Sequence, residues 1–92
     1  DRELANDTIA HFDCGAATYG LVLAAWSKGL GTVINGQGIM QSSVVRENAN
    51  IPADQVIMTC VAMGYPDEEF VANHVQSRRA TDGAVASFVG FA

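Results

Sequence analysis

Few residues of this chain carry reactive or ligand-binding groups, and the spacing of each set limits the chemistry open to it. The segment GLGTVINGQG places Gly29, Gly31, Gly36 and Gly38 around a short apolar run. A dinucleotide fingerprint needs its glycines after a strand and at the start of a helix, whereas Gly29 and Gly31 follow a helical pattern and precede a strand-like one. A Rossmann site is therefore excluded, and this first pair of glycines ends a helix and enters a strand. Gly36 and Gly38, at the far end of that strand, either make a plain turn or let the backbone approach a flat ligand closely; the local residues favour neither. His11 and His74 lie far from each other and from Cys14 and Cys60, so no metal-ligand spacing is present. Both cysteines sit in apolar surroundings, FDCGAA and IMTCVAM, and are expected to be buried free thiols. Arg78 and Arg79, taken on their own, read as a solvated basic pair at the start of an arm.

These groups need elements to hold them. From Cys14 to Trp26 almost every side chain is apolar or small, too long a run for an ordinary strand and too short for a membrane span. A buried helix is expected there, with Asp13 as N-cap and Lys28–Gly29 supplying a cation and a left-handed glycine at its end. Gly20 inside the helix costs about 1 kcal/mol relative to alanine, which points to close packing at that position. GTVIN reads as a short strand, and QSSVVRENAN as a short helix with Ser42 as N-cap and Pro52 just past its end. Val56–Met63 is a nearly continuous apolar run, expected to be a central strand covered on both faces and stopped by Gly64, Tyr65 and Pro66. DEEF is a solvated acidic turn opening a short helix, and the tail from Ser77 is an extended arm. Trp26 and Tyr65 read as core residues rather than stacking platforms.

Composition sets the outer bounds. Ninety-two residues with 49% hydrophobic and 16% charged side chains make one globular unit, neither a disordered tail nor a disulfide scaffold. A chain of this length buries only about 60 to 65% of its unfolded surface, and a helix apolar on every side exceeds what it can cover, so a partner subunit or further chain is implied. Ten acidic against five basic residues give a net charge of -5, which excludes a broad electrostatic footprint for nucleic acid or anionic membrane. The opening DRELAND carries no apolar signal region, and two unpaired cysteines fit a reducing compartment, so a cytoplasmic protein is expected.

The order YGLVLAAWSKGLGTVING, then VVRENANIPADQVIMTCVAMGYPDE, then SRRATDGAVASFVGF resembles the C-terminal half of the FMN-dependent nitroreductase family. The resemblance rests on a helix ending in Leu-Ala-Ala, the Gly-Leu-Gly exit, the Ile-x-Gly turn, an Ile-Pro before a strand and the Gly-Tyr-Pro-Asp strand end, all in order from Asp13 onward. It implies an α+β, nitroreductase-like fold, residues 1–92 forming a single partial domain: a buried hydrophobic helix on a small β-sheet, with an extended C-terminal arm. It further implies an interlocked homodimer with FMN in the interface, which would account for the excess of apolar helix surface. Carried over residue by residue, Ile34, Asn35, Gly36 and Gln37 match the strand-end turn against the isoalloxazine ring, with backbone amides near its N5 and O4 edge. Asn35 stands where an acidic residue or glycine is common, bringing a side-chain amide close to the flavin.

Arg78 and Arg79 match a late basic pair that reaches the FMN phosphate in the family, Ser77 adding a hydroxyl and Gln76 standing where lysine is common. Screening limits repulsion between a phosphate dianion and an acidic protein to about 8 Å at physiological salt, so charge-assisted contacts by the planar guanidinium decide binding. No catalytic side chain is expected, because the cofactor carries the redox chemistry. The implied activity is ping-pong hydride transfer from NAD(P)H through FMN to a small nitroaromatic or quinone acceptor. Family members also grip the FMN with an Arg-rich segment ahead of the part matched here, so the alternative expectation is a non-catalytic fragment or small dimerisation module.

Overall fold

The computed structural model describes residues 5–91. Helix α1 spans Thr8–Trp26, strand β1 Gly31–Asn35, the short helix α2 Gln37–Met40, helix α3 Ser42–Ala49 and strand β2 Cys60–Gly64. A single 3₁₀ turn over Val71–His74 and a one-turn helix α4 over Asp82–Val85 follow. Helices and one small sheet make an α+β arrangement, in keeping with the coarse expectation from sequence.

Helix α1 begins six residues before the expected start. Asp7 is its N-cap, with Oδ1 accepting from the N–H groups of Ile9 at 2.8 Å and Ala10 at 3.4 Å. Asp13 lies inside the helix, because once nucleation is achieved each further residue adds a hydrogen bond at little cost and an exposed carboxylate is tolerated. At the other end Gly29 adopts φ 76°, where its N–H donates to the Trp26 carbonyl at 2.9 Å and the Leu30 N–H to the Ala25 carbonyl at 3.0 Å. This is a Schellman closure on a left-handed glycine, as the sequence indicated; Lys28 falls past the last helical turn.

The closure delivers the chain into β1, which pairs antiparallel with β2 in the register Gly31↔Gly64 through Asn35↔Cys60. The expected strand Val56–Met63 is thereby corrected to Cys60–Gly64. With β1 only five residues long, residues before Cys60 have no ladder partner, and Val56–Thr59 instead run beside α1, lining a shallow groove with Cys14, Ala17 and Thr18. Nor is β2 covered on both faces, since Met63 is 45% exposed. In α3 the N-cap position belongs to Gln41, whose side chain makes no capping bond, and Ser42 is the first helical residue. The helix closes on Asn50 in the left-handed region at φ 52°.

Among the described residues only Ala25 and Gly38 are buried. The radius of gyration is 17.4 Å, against about 12 Å for a compact domain of this length. The accessible surface of 8026 Å² compares with about 5,100 Å² for a folded monomer of this mass. Accordingly the expected burial of α1 and of both thiols is not met within this chain: Cys14 is exposed, Cys60 half-buried, and Trp26 and Tyr65 are exposed. A side chain added at Gly20 would meet no atom within 4 Å. The cause is that α1 packs on β1 along one side only, leaving its remaining apolar surface without a neighbour. No helix of the described residues is long and apolar enough to cross a membrane.

Candidate functional site

The turn at the end of β1 is the best-defined polar structure in the chain. Asn35 Oδ1 accepts the Gln37 N–H at 3.1 Å, and Asn35 Nδ2 donates to the Val33 carbonyl at 3.4 Å. This Asx turn leads directly into α2, with Gly36 at the N-cap position and its carbonyl accepting from Ile39 at 3.0 Å and Met40 at 3.2 Å. From the β2 side, Thr59 Oγ1 donates to the Asn35 carbonyl at 3.3 Å. The turn is thus held by its own side chain on one side and by the residue ahead of β2 on the other.

Two groups of the turn remain available. Among the described residues the Gly36 N–H meets no acceptor, and Gly36 is exposed. Ile34, 55% exposed, presents an apolar surface beside it. Ile34 also lines a groove of about 250 Å³ formed with His11, Cys14, Gly15, Thr18, Met58 and Thr59. His11 Nδ1 lies 2.7 Å from the Asp7 carbonyl oxygen, a hydrogen bond in the Nδ1–H tautomer, and Thr18 Oγ1 donates to the Cys14 carbonyl at 2.6 Å. Both groups are committed to α1 itself, which leaves the groove walls largely apolar. Among the described residues no cluster of three or more His, Cys, Asp or Glu side chains is placed to hold a metal ion.

The sequence grouped Ile34, Asn35, Gly36 and Gln37 with Arg78 and Arg79. The first four form one turn. Arg78 and Arg79 lie on the exposed segment between the 3₁₀ turn and α4, apart from the packed pairs α1–β1, β1–β2, α2–α3 and α2–β2. Among the described residues the Arg79 guanidinium reaches only the Arg78 carbonyl, at 3.3 Å. Sequence reasoning missed Thr59 and Cys60, which support the turn from below. Their signal was visible as the two less apolar positions inside VIMTCVAM. It also missed Arg46, whose Nη1 donates to the Pro52 carbonyl at 2.9 Å and Nη2 to the Gln55 carbonyl at 2.6 Å, fixing the loop that feeds β2.

Set beside known proteins, residues 1–65 match the family model described as the nitroreductase family. The match takes in α1, β1, the Asx turn, α3 and β2, and the chain belongs to this family of oxidoreductases. Among curated proteins it is similar to a chloronitrobenzene nitroreductase from Comamonas testosteroni, 30% identical over 81 residues, which is 87% of this chain and 36% of that protein. The chain therefore spans about a third of the length of that relative. No solved structure matches it.

Proposed function

We propose that the protein of which this chain forms part is an FMN-dependent oxidoreductase, and that the Ile34–Gln37 turn lies against the flavin. The observation that carries this reading is the division of labour within the turn. Asn35 Oδ1 takes the Gln37 N–H, while the N–H of Gly36, an exposed residue two positions on from the exposed Ile34, meets no acceptor among the described residues. A flat heteroaromatic ring with acceptor atoms on one edge would fit that pairing, with Ile34 offering apolar surface to its face and the Gly36 N–H a hydrogen bond to its edge.

When bound, FMN supplies hydride transfer from NAD(P)H to a nitroaromatic or quinone acceptor. The chain's own contribution is binding and charge stabilisation. A fixed backbone donor favours negative charge on the edge it faces, and does so without reorganising. Arg78 and Arg79, exposed and without an acidic partner among the described residues, are the candidates for the phosphate, their planar guanidinium groups suiting its oxygens. They reach the turn only if the arm is seated by another part of the protein. We propose that a second copy of the chain covers α1 and seats the arm.

The open shape favours a second reading as well, in which this stretch is an interaction module and binds flavin weakly or not at all by itself. FMN fluorescence quenching by the intact protein separates the two, with an Arg78→Ala, Arg79→Ala double variant beside it. Saturable quenching by the wild type, weakened in the variant, supports the flavoenzyme; absence of quenching leaves the interaction module.

A further inference from the structure

We infer that Cys60 is a positioning residue for the Gly36 N–H, acting through its contact with Gly38; the inference rests on the reading of the Ile34–Gln37 turn given above. In a chain whose side chains are mostly exposed, Gly38 is one of the two buried residues. What buries it is the thiol of Cys60. A Cβ built on Gly38 would overlap Cys60 Sγ, stand 3.3 Å from Cys60 Cβ and 3.7 Å from Val45 Cγ2. Gly38 belongs to α2, whose first cap is Gly36, so the distance between Gly38 and Cys60 sets where α2 sits and hence where the Gly36 N–H points.

The register gives the contact its leverage. Cys60 is the ladder partner of Asn35, the residue that folds the turn, and Thr59 beside it holds the Asn35 carbonyl. The first residue of β2 thus fixes the turn by volume, while its predecessor fixes it by a hydrogen bond. The overlap is with the sulfur, whereas the Cys60 Cβ, at 3.3 Å, asks for a shift of only a few tenths of an ångström, so it is the sulfur that displaces α2 when the gap is filled. Gly38 does not adopt a positive φ, and alanine is the better helix former. Local propensity therefore predicts a gain for Gly38→Ala and the contact predicts a loss, which makes the sign diagnostic.

The test is FMN titration of the intact protein. Gly38→Ala is expected to weaken FMN binding about tenfold, Cys60→Ala, which empties the contact that seats α2, to weaken it about threefold, and the Gly38→Ala, Cys60→Ala pair, in which the added methyl takes the place of the sulfur, to return to within about threefold of the wild type. Rescue by removing the sulfur is the readout that a merely destabilised helix would not produce. Wild-type affinity in Gly38→Ala, or a double variant no better than the single one, overturns the positioning role and leaves the flavin reading standing. Failure of the wild type to bind FMN overturns the reading of the site and the inference with it.

Should Gly38→Ala not fold, the same gap is filled after folding. In a variant of the intact protein in which Cys14 and every other cysteine but Cys60 is replaced by serine, the Cys60 thiolate attacks the thiosulfonate sulfur of methyl methanethiosulfonate, forming a methyl disulfide and releasing methanesulfinate. Weakened FMN binding that dithiothreitol restores supports the role. Unchanged binding by the fully modified protein overturns it.

Discussion

The side-chain oxygen of Asn35 receives the backbone N–H of Gln37 at 3.1 Å, so the residue whose type suggested a contact to ligand is spent on folding the turn. An aspartate in its place retains an acceptor at the same atom, whereas alanine leaves the Gln37 N–H to water. Asn35→Ala is expected to lower stability by about 0.5 to 1 kcal/mol and Asn35→Asp to preserve it, as measured by chemical denaturation of the intact protein. A ligand-facing role for the amide predicts the reverse ordering in FMN affinity: Asn35→Asp losing more than Asn35→Ala.

Arg46 joins α3 to the loop before β2 through two carbonyls, those of Pro52 and Gln55, at 2.9 and 2.6 Å. Lysine carries the charge but cannot present two donors in one plane. Arg46→Ala and Arg46→Lys are both expected to destabilise by about 1 to 3 kcal/mol, with lysine recovering less than half of the loss. Equal stability of the lysine variant and the wild type would mean that charge alone holds the loop.

How far the sequence speaks depends on whether a feature is set locally. The Gly29 exit and the strand Gly31–Asn35 were legible because a left-handed glycine and a short apolar run between glycines have local causes. The start of α1 was misplaced because Asp7 and Asp13 are chemically identical caps, and only the helix itself decides between them. The extent of β2 was overestimated because apolar character marks burial, whereas ladder pairing is set by the five residues of β1 opposite. Of the candidate site, the turn at Gly36 and Gly38 was readable from its glycines, whereas a place for Ile34–Gln37 against a ligand came from the family resemblance alone. Cys60 lies far from Gly38 in sequence and close in space, so no spacing rule discloses it. The cap assignment is checked directly: Asp7→Ala is expected to cost about 1 kcal/mol and Asp13→Ala less than about half of that.

Gly29 at φ 76° ends α1 and aims the chain into β1. Its added Cβ would meet nothing within 4 Å, so packing offers no objection to alanine there. The objection is conformational: a left-handed residue with a Cβ costs about 1 to 2 kcal/mol. Gly29→Ala is expected to destabilise by that amount and Gly29→Asn by less, since asparagine tolerates the left-handed region. Thermal melts of the three proteins order them glycine, asparagine, alanine if the closure is as described.

Helix α1 exposes Phe12, Tyr19, Leu23 and Trp26 along one stripe and Leu21 on the opposite side, and Trp26 is this chain's single tryptophan. Surface of this kind in a stable protein is covered, either by more of the same polypeptide or by another copy. The two differ in mass action: intramolecular cover is independent of protein concentration, while cover by a second copy is lost on dilution together with stability. With a second copy as the cover, the Trp26 part of the emission of the intact protein, isolated by difference from a Trp26→Phe variant, moves to longer wavelength as concentration falls, and the shift tracks the loss of the dimer by light scattering. An emission maximum constant across dilution into monomer assigns the cover to the same chain. A Leu23→Asp substitution sharpens the comparison, because a carboxylate on that surface costs both kinds of cover but makes only the intermolecular kind recoverable by raising concentration.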